Sequence, residues 1–322
     1  MWLLSIERPL AALSRPRCDR GETFTQWRIF ERGERVRLVV FGDYQIGALE
    51  ADGIHEMTDL VEDVPPFAAA YRLNRFIDRF DELRADVERR RQTGPVVALD
   101  GARLRPPTPR PRNFLAAPLN FADHGAEMAA SLRDAGSTAR ELGFFVKASG
   151  SLCGATDGIE IPDLPNRRFD HEGEIAIVIG REARDVHPEK ALEYVFGYTL
   201  VIDVTMRMTE TQREERPMRK SFWTFAPCGP CLLTADEVGD PSALPIRLWV
   251  NDELRQSATL RDLIVSVPEL IARASAVLPL EPGDLYATGT PAGIGPLEPG
   301  DVVIVESEPI GRMRIPVRRR RW

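Results

Sequence analysis

The stretch Asp170-His171-Glu172-Gly173-Glu174 runs directly into Ile175-Ala176-Ile177-Val178-Ile179. A short apolar run of this kind reads as a buried strand. Residues two apart on a strand share a face, so Glu172 and Glu174 project side by side around Gly173. Adjacent carboxylates at the mouth of an apolar strand repel each other. They require a cation, a shared proton or solvent. A second apolar run, 198–204, carries Asp203 between Ile202 and Val204. An aspartate flanked by β-branched residues in a buried strand is costly unless it is paired or metal-bound. Three carboxylates with no cysteine nearby suit Mg²⁺, Mn²⁺ or Ca²⁺ rather than structural zinc. Taken singly, each acid has a plainer reading: an exposed Glu-x-Glu on a strand edge, and an aspartate at a strand end.

The elements that must position these acids are mostly strands. Strand patterns fall at 144–147, 174–179, 198–204, 246–250, 284–288 and 302–306, with short helices at 121–133, 188–194, 206–216 and 268–276. Helices and strands do not alternate regularly, which disfavours a doubly wound sheet. Nearer the start, 35–41 and 44–49 read as strands around a turn at Gly42-Asp43. Leu73, Phe76, Phe80, Leu83 and Val87 recur at helical spacing, predicting one amphipathic helix over 71–91. The expected class is α+β, mainly β. Residues 1–104 form a small N-terminal α+β domain with an irregular lead over 1–25. Residues 105–112, rich in proline and arginine, form a linker. Residues 113–322 form the chemically richer domain.

At 322 residues the chain has room for one large domain or two modest ones, and 43 % apolar residues supply a core. A formal net charge of -7 argues against a general nucleic-acid or acidic-membrane binder, which needs a dominant cationic face. The basic run Arg318–Arg321 reads as a solvated terminus. There is no apolar run long enough to span a bilayer, and Glu7 and Arg8 come too early for a signal peptide. The expected location is the cytoplasm. Cys18, Cys153, Cys228 and Cys231 do not make the dense framework of a secreted scaffold. Cys228-Gly229-Pro230-Cys231 has the spacing of a thioredoxin-type redox pair. That reading needs a helix N-terminus after a strand, whereas Leu232-Leu233-Thr234 reads as strand.

Several motifs occur in a telling order: Asn120-Phe121-Ala122-Asp123-His124-Gly125-Ala126-Glu127, Phe144-Phe145-Val146-Lys147, Glu172-Gly173-Glu174, Asp203-Val204-Thr205, Lys220-Ser221-Phe222, Val250-Asn251, and Ala287-Thr288-Gly289-Thr290-Pro291-Ala292-Gly293-Ile294-Gly295. In order and spacing they resemble the fumarylacetoacetate hydrolase family, over roughly 113–317 and weakly over the N-terminal unit.

The resemblance implies that family's mixed β-sandwich roll, with Glu172, Glu174 and Asp203 as ligands of Mg²⁺ or Mn²⁺. It implies a 2-oxo acid or β-diketone substrate whose C–C bond breaks through an enolate that the cation stabilises. His124 and Glu127, three apart on a helix, match the family's water-activating pair, in a segment that in the family can order as a lid. Lys220 matches an active-site lysine that helps hold an oxyanion. Arg207 matches a supporting arginine, and Thr290 is a candidate for binding substrate carboxylate or for a tight structural turn. His55, His171 and His187 receive no functional role.

The chain departs from the family pattern at Met208 after Arg207, at Glu210, at Trp223 and at Ala148 after Lys147. Glu210 would repel a second substrate carboxylate and Trp223 could form an aromatic wall, so the expected substrate is bulkier or less anionic than a simple dicarboxylate. The leading function is an enzyme, a C–C hydrolase. Decarboxylation, hydration or isomerisation on the same metal site is the nearest alternative, and a non-catalytic metabolite-binding member is another. The family's habits imply a homodimer.

Overall fold

The computed structural model describes residues 35–129 and 137–320. The expected irregular lead, Cys18 and part of the 121–133 helix lie outside those residues. So do the side chains of residues 126–129, Glu127 among them.

An eleven-stranded sheet forms the backbone of the fold. At its centre lie Gly173–Ile179 and Val195–Ile202, antiparallel, with Ile175 opposite Leu200 and Gly173 opposite Ile202. Both strands are buried along their whole length. A strand covered on both faces has no use for polar alternation, which is why these segments read as continuous apolar runs. Ile175, Ile177 and Ile179 point into one core, together with Leu248, Val303, Val305 and Ile315 from a second, five-stranded sheet. Ala176 and Val178 point the other way, into a core with Phe76, Phe80 and Leu83.

The five-stranded sheet runs Glu253–Thr259, Pro245–Val250, Val302–Ser307, Gly311–Arg319 and Ile159–Ile161. A three-stranded sheet of Thr205–Met206, Phe169–His171 and Gly295–Pro296 closes one end. The result is mainly β, with mixed sheets and short helices. Among the described residues no helix is long and apolar enough to cross a membrane.

The N-terminal strands Arg37–Phe41, Gln45–Glu50 and Gly53–Glu56 extend the large sheet, because Arg37–Phe41 pairs with Ala226–Thr234. The 105–112 stretch, read as a linker, is packed: Pro106, Pro107, Thr108 and Pro109 are buried, and Arg105 N–H donates to Val40 C=O at 2.7 Å.

Two helical readings need correction. The single helix expected over 71–91 is two, Arg72–Asp78 and Phe80–Thr93, broken where Arg79 leaves helical geometry at φ -108°, ψ 9°. The break brings Phe80 edge-on to Phe196, with ring centroids 4.9 Å apart. No helix covers 206–216. The chain there is strand as far as Met206, then turns, with a hydrogen bond from Thr209 N–H to Gln212 C=O. A short helix, Arg216–Lys220, begins only at Pro217's turn. Proline at the first helical positions starts a helix, and Arg207 is held elsewhere by ion pairs.

Candidate active site

The large sheet frays at one end, and the acids gather there. Leu285–Ala287 pairs with the Gly173–Ile179 strand only at residues 176–178. Beyond Ala287 the chain peels away, and individual groups replace the missing ladder. Thr288 gives both its N–H (3.0 Å) and its hydroxyl (2.8 Å) to Ile175 C=O. Thr290 Oγ1 donates to Gly173 C=O at 2.9 Å. Gly289 N–H donates to Glu174 Oε2 at 2.8 Å. Gly289 sits at φ +96°, and a Cβ there would come within 2.8 Å of Asn120 Cβ. Glycine alone fits both demands.

On the other side, Asp203 N–H donates to Glu172 C=O at 2.7 Å. That bond sets Asp203 beside Glu172 just past the last strand pair. One ligand-capable oxygen from each of Glu172, Glu174 and Asp203 lies within 4.8 Å of the others, and all three residues are buried. The expected trio is therefore brought together.

Cations surround it in a chain, Lys147 and Lys220 buried, Arg207 half-buried and Arg168 exposed. Lys220 Nζ donates to Glu172 Oε2 and Asp203 Oδ2, both at 2.6 Å, and to Thr205 Oγ1 at 2.7 Å. It lies 5.4 Å from the centre of the Phe145 ring. Lys147 Nζ holds the other Asp203 oxygen, Oδ1, at 2.7 Å and donates also to the Lys220 carbonyl. Arg207 spans Glu172 Oε1 through Nη2 and Asp170 Oδ2 through Nε, both at 2.6 Å. Arg168 takes Asp170 Oδ1 at 2.6 Å. Lys147 and Asp170 were not among the expected site residues. Each appears in a quoted motif, but only the fold shows what it touches.

These neighbours divide the acids. Burial works against the Glu172 charge, yet Lys220 and Arg207 outweigh it and hold that carboxyl well below the usual range. Glu174 goes the other way: burial, then Asp203, raise its carboxyl well above the ordinary value. Among the described residues no lysine or arginine pairs with Glu174. Burial lowers the Lys147 ammonium, while Asp203 and Glu172 overcome burial and raise that of Lys220. The donors are carboxylate oxygens only, the chemistry a hard divalent cation takes. Glu174 is the acid with most to gain from such a charge.

His124 is buried on the Ala122–Ala129 helix, close enough to Glu172 for the two to interact electrostatically. Asn120, just before the helix, fixes its approach. Its Nδ2 donates to Thr288 C=O at 2.9 Å and to Val265 C=O at 3.0 Å, and its Oδ1 accepts from Val265 N–H at 2.8 Å. The helix is thus tied to the loop that serves Glu174. Thr290 is buried, with its single proton committed to Gly173. Glu210 is exposed and Trp223 is 63 % exposed. Among the described residues, no hydrogen bond or ion pair ties either to the carboxylates.

The remaining histidines lie outside this arrangement. His55 faces Asp52 at 2.8 Å, His187 is exposed, and burial takes the His171 imidazole down to about 4. Cys228 and Cys231 lie inside the Ala226–Thr234 strand, not at a helix start, and burial pushes both thiols up to about 12. That environment is the opposite of a redox pair's.

Comparison with known proteins places the chain in a family. A family model described as Fumarylacetoacetate (FAA) hydrolase C-terminal matches residues 113–318. Maleylpyruvate hydrolase of Aquipseudomonas alcaligenes is 38 % identical over 292 residues, spanning 88 % of this chain and 99 % of that protein. A maleylpyruvate hydrolase from Sphingobium sp. SYK-6, solved in complex with manganese (II) ion and pyruvate, superposes with a TM-score of 0.77 at 35 % identity, covering 88 % of this chain and 100 % of that one. Fumarylacetoacetate hydrolase from the psychrophilic Exiguobacterium antarcticum superposes with a TM-score of 0.72 at 34 % identity, with 88 % and 100 % covered. The chain belongs to the fumarylacetoacetate hydrolase family.

Proposed function

We propose that this protein is a hydrolase that holds Mg²⁺ or Mn²⁺ on Glu172, Glu174 and Asp203 and cleaves the C–C bond of an acylpyruvate. The observation that carries the reading is the convergence of three buried carboxylates within 4.8 Å, in which burial and Asp203 outweigh the Lys220 charge at Glu174 and no described lysine or arginine forms an ion pair with it. The relatives named maleylpyruvate hydrolase, one of them solved with manganese and pyruvate, support both the metal and the substrate class.

A divalent cation there supplies Lewis acidity, stabilising negative charge on a keto oxygen as the adjacent C–C bond breaks. The chain's own groups do the rest. His124 takes a proton from water, oriented by Glu127 from the same helix. The water oxygen adds to the acyl carbon, the bond to the pyruvate methylene breaks, and a proton returns to that carbon. An acid and pyruvate result. Lys220, already directed between Glu172 and Asp203, steadies developing negative charge. Arg207 fixes Glu172 and Asp170 and adds positive charge on the substrate side. Thr290 frames the loop side, and Glu210 and Trp223 modulate which acyl group is accepted.

Maleylpyruvate and other acylpyruvates, with bulky β-diketones alongside, are the substrates to assay with Mn²⁺, following pyruvate release. Pyruvate formed by the parent chain and abolished in Glu174→Ala is the expected result. Carbon dioxide or a rearranged product without pyruvate would assign the site to decarboxylation or isomerisation. No turnover of any of them would favour a binding role.

A further inference from the structure

Gln256 stands on the Glu253–Thr259 strand of the five-stranded sheet, which supplies none of the three carboxylates. The strand is otherwise exposed or half-buried, and Gln256 is its one fully buried side chain. A buried amide is costly unless hydrogen-bonded, and this one is fully engaged. Its Oε1 accepts Gly173 N–H at 2.9 Å. Its Nε2 donates to Thr290 Oγ1 and to Pro291 C=O, both at 2.7 Å.

Gly173 is the residue between Glu172 and Glu174. A Cβ there would meet Leu248 Cδ1 at 2.8 Å and Gln256 Oε1 at 3.3 Å, so the close approach of the second sheet requires glycine. Glycine also brings the greatest backbone freedom, at the place where two acids need a fixed separation. The neighbouring strand has already stopped at Ala287. Gln256 takes the Gly173 N–H and Thr290 takes the Gly173 C=O, while Gln256 in turn holds the Thr290 hydroxyl. The peptide groups on both sides of one glycine are therefore held by a single clamp.

We propose that Gln256 is a positioning residue, which directly and through Thr290 fixes Gly173 and so the placement of Glu172 and Glu174 for a divalent cation. This rests on the metal reading above. Groups that orient metal ligands typically matter by about 10–100-fold in affinity.

The test is Mn²⁺ binding to the full chain, read from the paramagnetic resonance signal of free Mn²⁺, with thermal unfolding of the same samples in chelator. Q256M keeps side-chain length and loses every hydrogen bond. T290V cuts the tie to Gly173 C=O, and T290S restores it. The expected result is Mn²⁺ binding weakened about 10–100-fold in Q256M, weakened less in T290V, and near the parent's in T290S. A folded Q256M that binds Mn²⁺ as tightly as the parent, whatever its unfolding temperature, overturns the proposal. If Q256M does not fold, equal affinities for T290V and the parent overturn it. A parent chain that binds no Mn²⁺ would instead sink the metal reading, and this proposal with it.

Discussion

Lys147 Nζ and Asp203 Oδ1 lie 2.7 Å apart with both side chains shut off from solvent, at 0 % and 2 % exposure. Asp203 is gripped from its other oxygen by Lys220. Removing one partner of a buried pair strands the other charge in a medium that cannot solvate it. Lys147→Met is therefore expected to destabilise the fold by about 3–5 kcal/mol, measured by urea unfolding. A loss near zero would mean that Lys220 alone neutralises Asp203.

The Glu174 carboxyl, raised first by burial and then by Asp203, gives a signed pH dependence. The folded chain holds this proton more tightly than the unfolded chain does. Its contribution to stability is therefore fully present below the ordinary carboxylate range and declines as pH rises toward the raised value. In chelator, Glu174→Gln removes that decline. The variant should match the parent near pH 4 and exceed it near pH 8 in urea midpoint. It should also lose the rise in unfolding temperature that Mn²⁺ gives the parent. Equal midpoints at both pH values would contradict the burial argument.

His124→Ala separates chemistry from metal binding. A general base contributes about 10²–10⁴-fold, and His124 is absent from the carboxylate trio. The expected outcome is a fall in kcat of about that size, with Mn²⁺ affinity unchanged. Stopped-time pyruvate assays and Mn²⁺ titration check the two halves. An unaltered kcat removes His124 from the mechanism.

Cys153, Cys228 and Cys231 are buried free thiols, and burial raises all three. Alkylation of the native chain at pH 8, mapped by mass spectrometry, should leave these positions unmodified until denaturant is added. C228S should retain pyruvate release. Rapid native labelling of Cys228 or Cys231 would reopen the redox reading.

The reading of Glu172 and Glu174 as neighbours needed nothing beyond the two-residue period of a strand, which is a property of the backbone. The runs 174–179 and 198–204 were legible for a related reason: strands buried on both faces are uniformly apolar. The error over 206–216 shows the limit. Its local pattern allowed a helix, but Arg207 is drawn to Asp170 and Glu172 by bonds between residues 35 and 37 positions apart. The break at Arg79 likewise goes with Phe80 packing on Phe196, a contact no local pattern announces.

By itself the sequence determined the strand-forming runs, the pair of acids on one strand face, the oxygen-only chemistry of the site and, through motif order, the family. Tertiary structure alone decided that Asp203 sits beside Glu172, that Lys147, Arg207 and Asp170 complete the charge chain, and that Gln256 arrives from another sheet to hold Gly173. The physical reason is range. Side-chain alternation and hydrophobic periodicity are local, whereas a buried charge or amide is defined by partners that only strand register and sheet packing bring within hydrogen-bond distance.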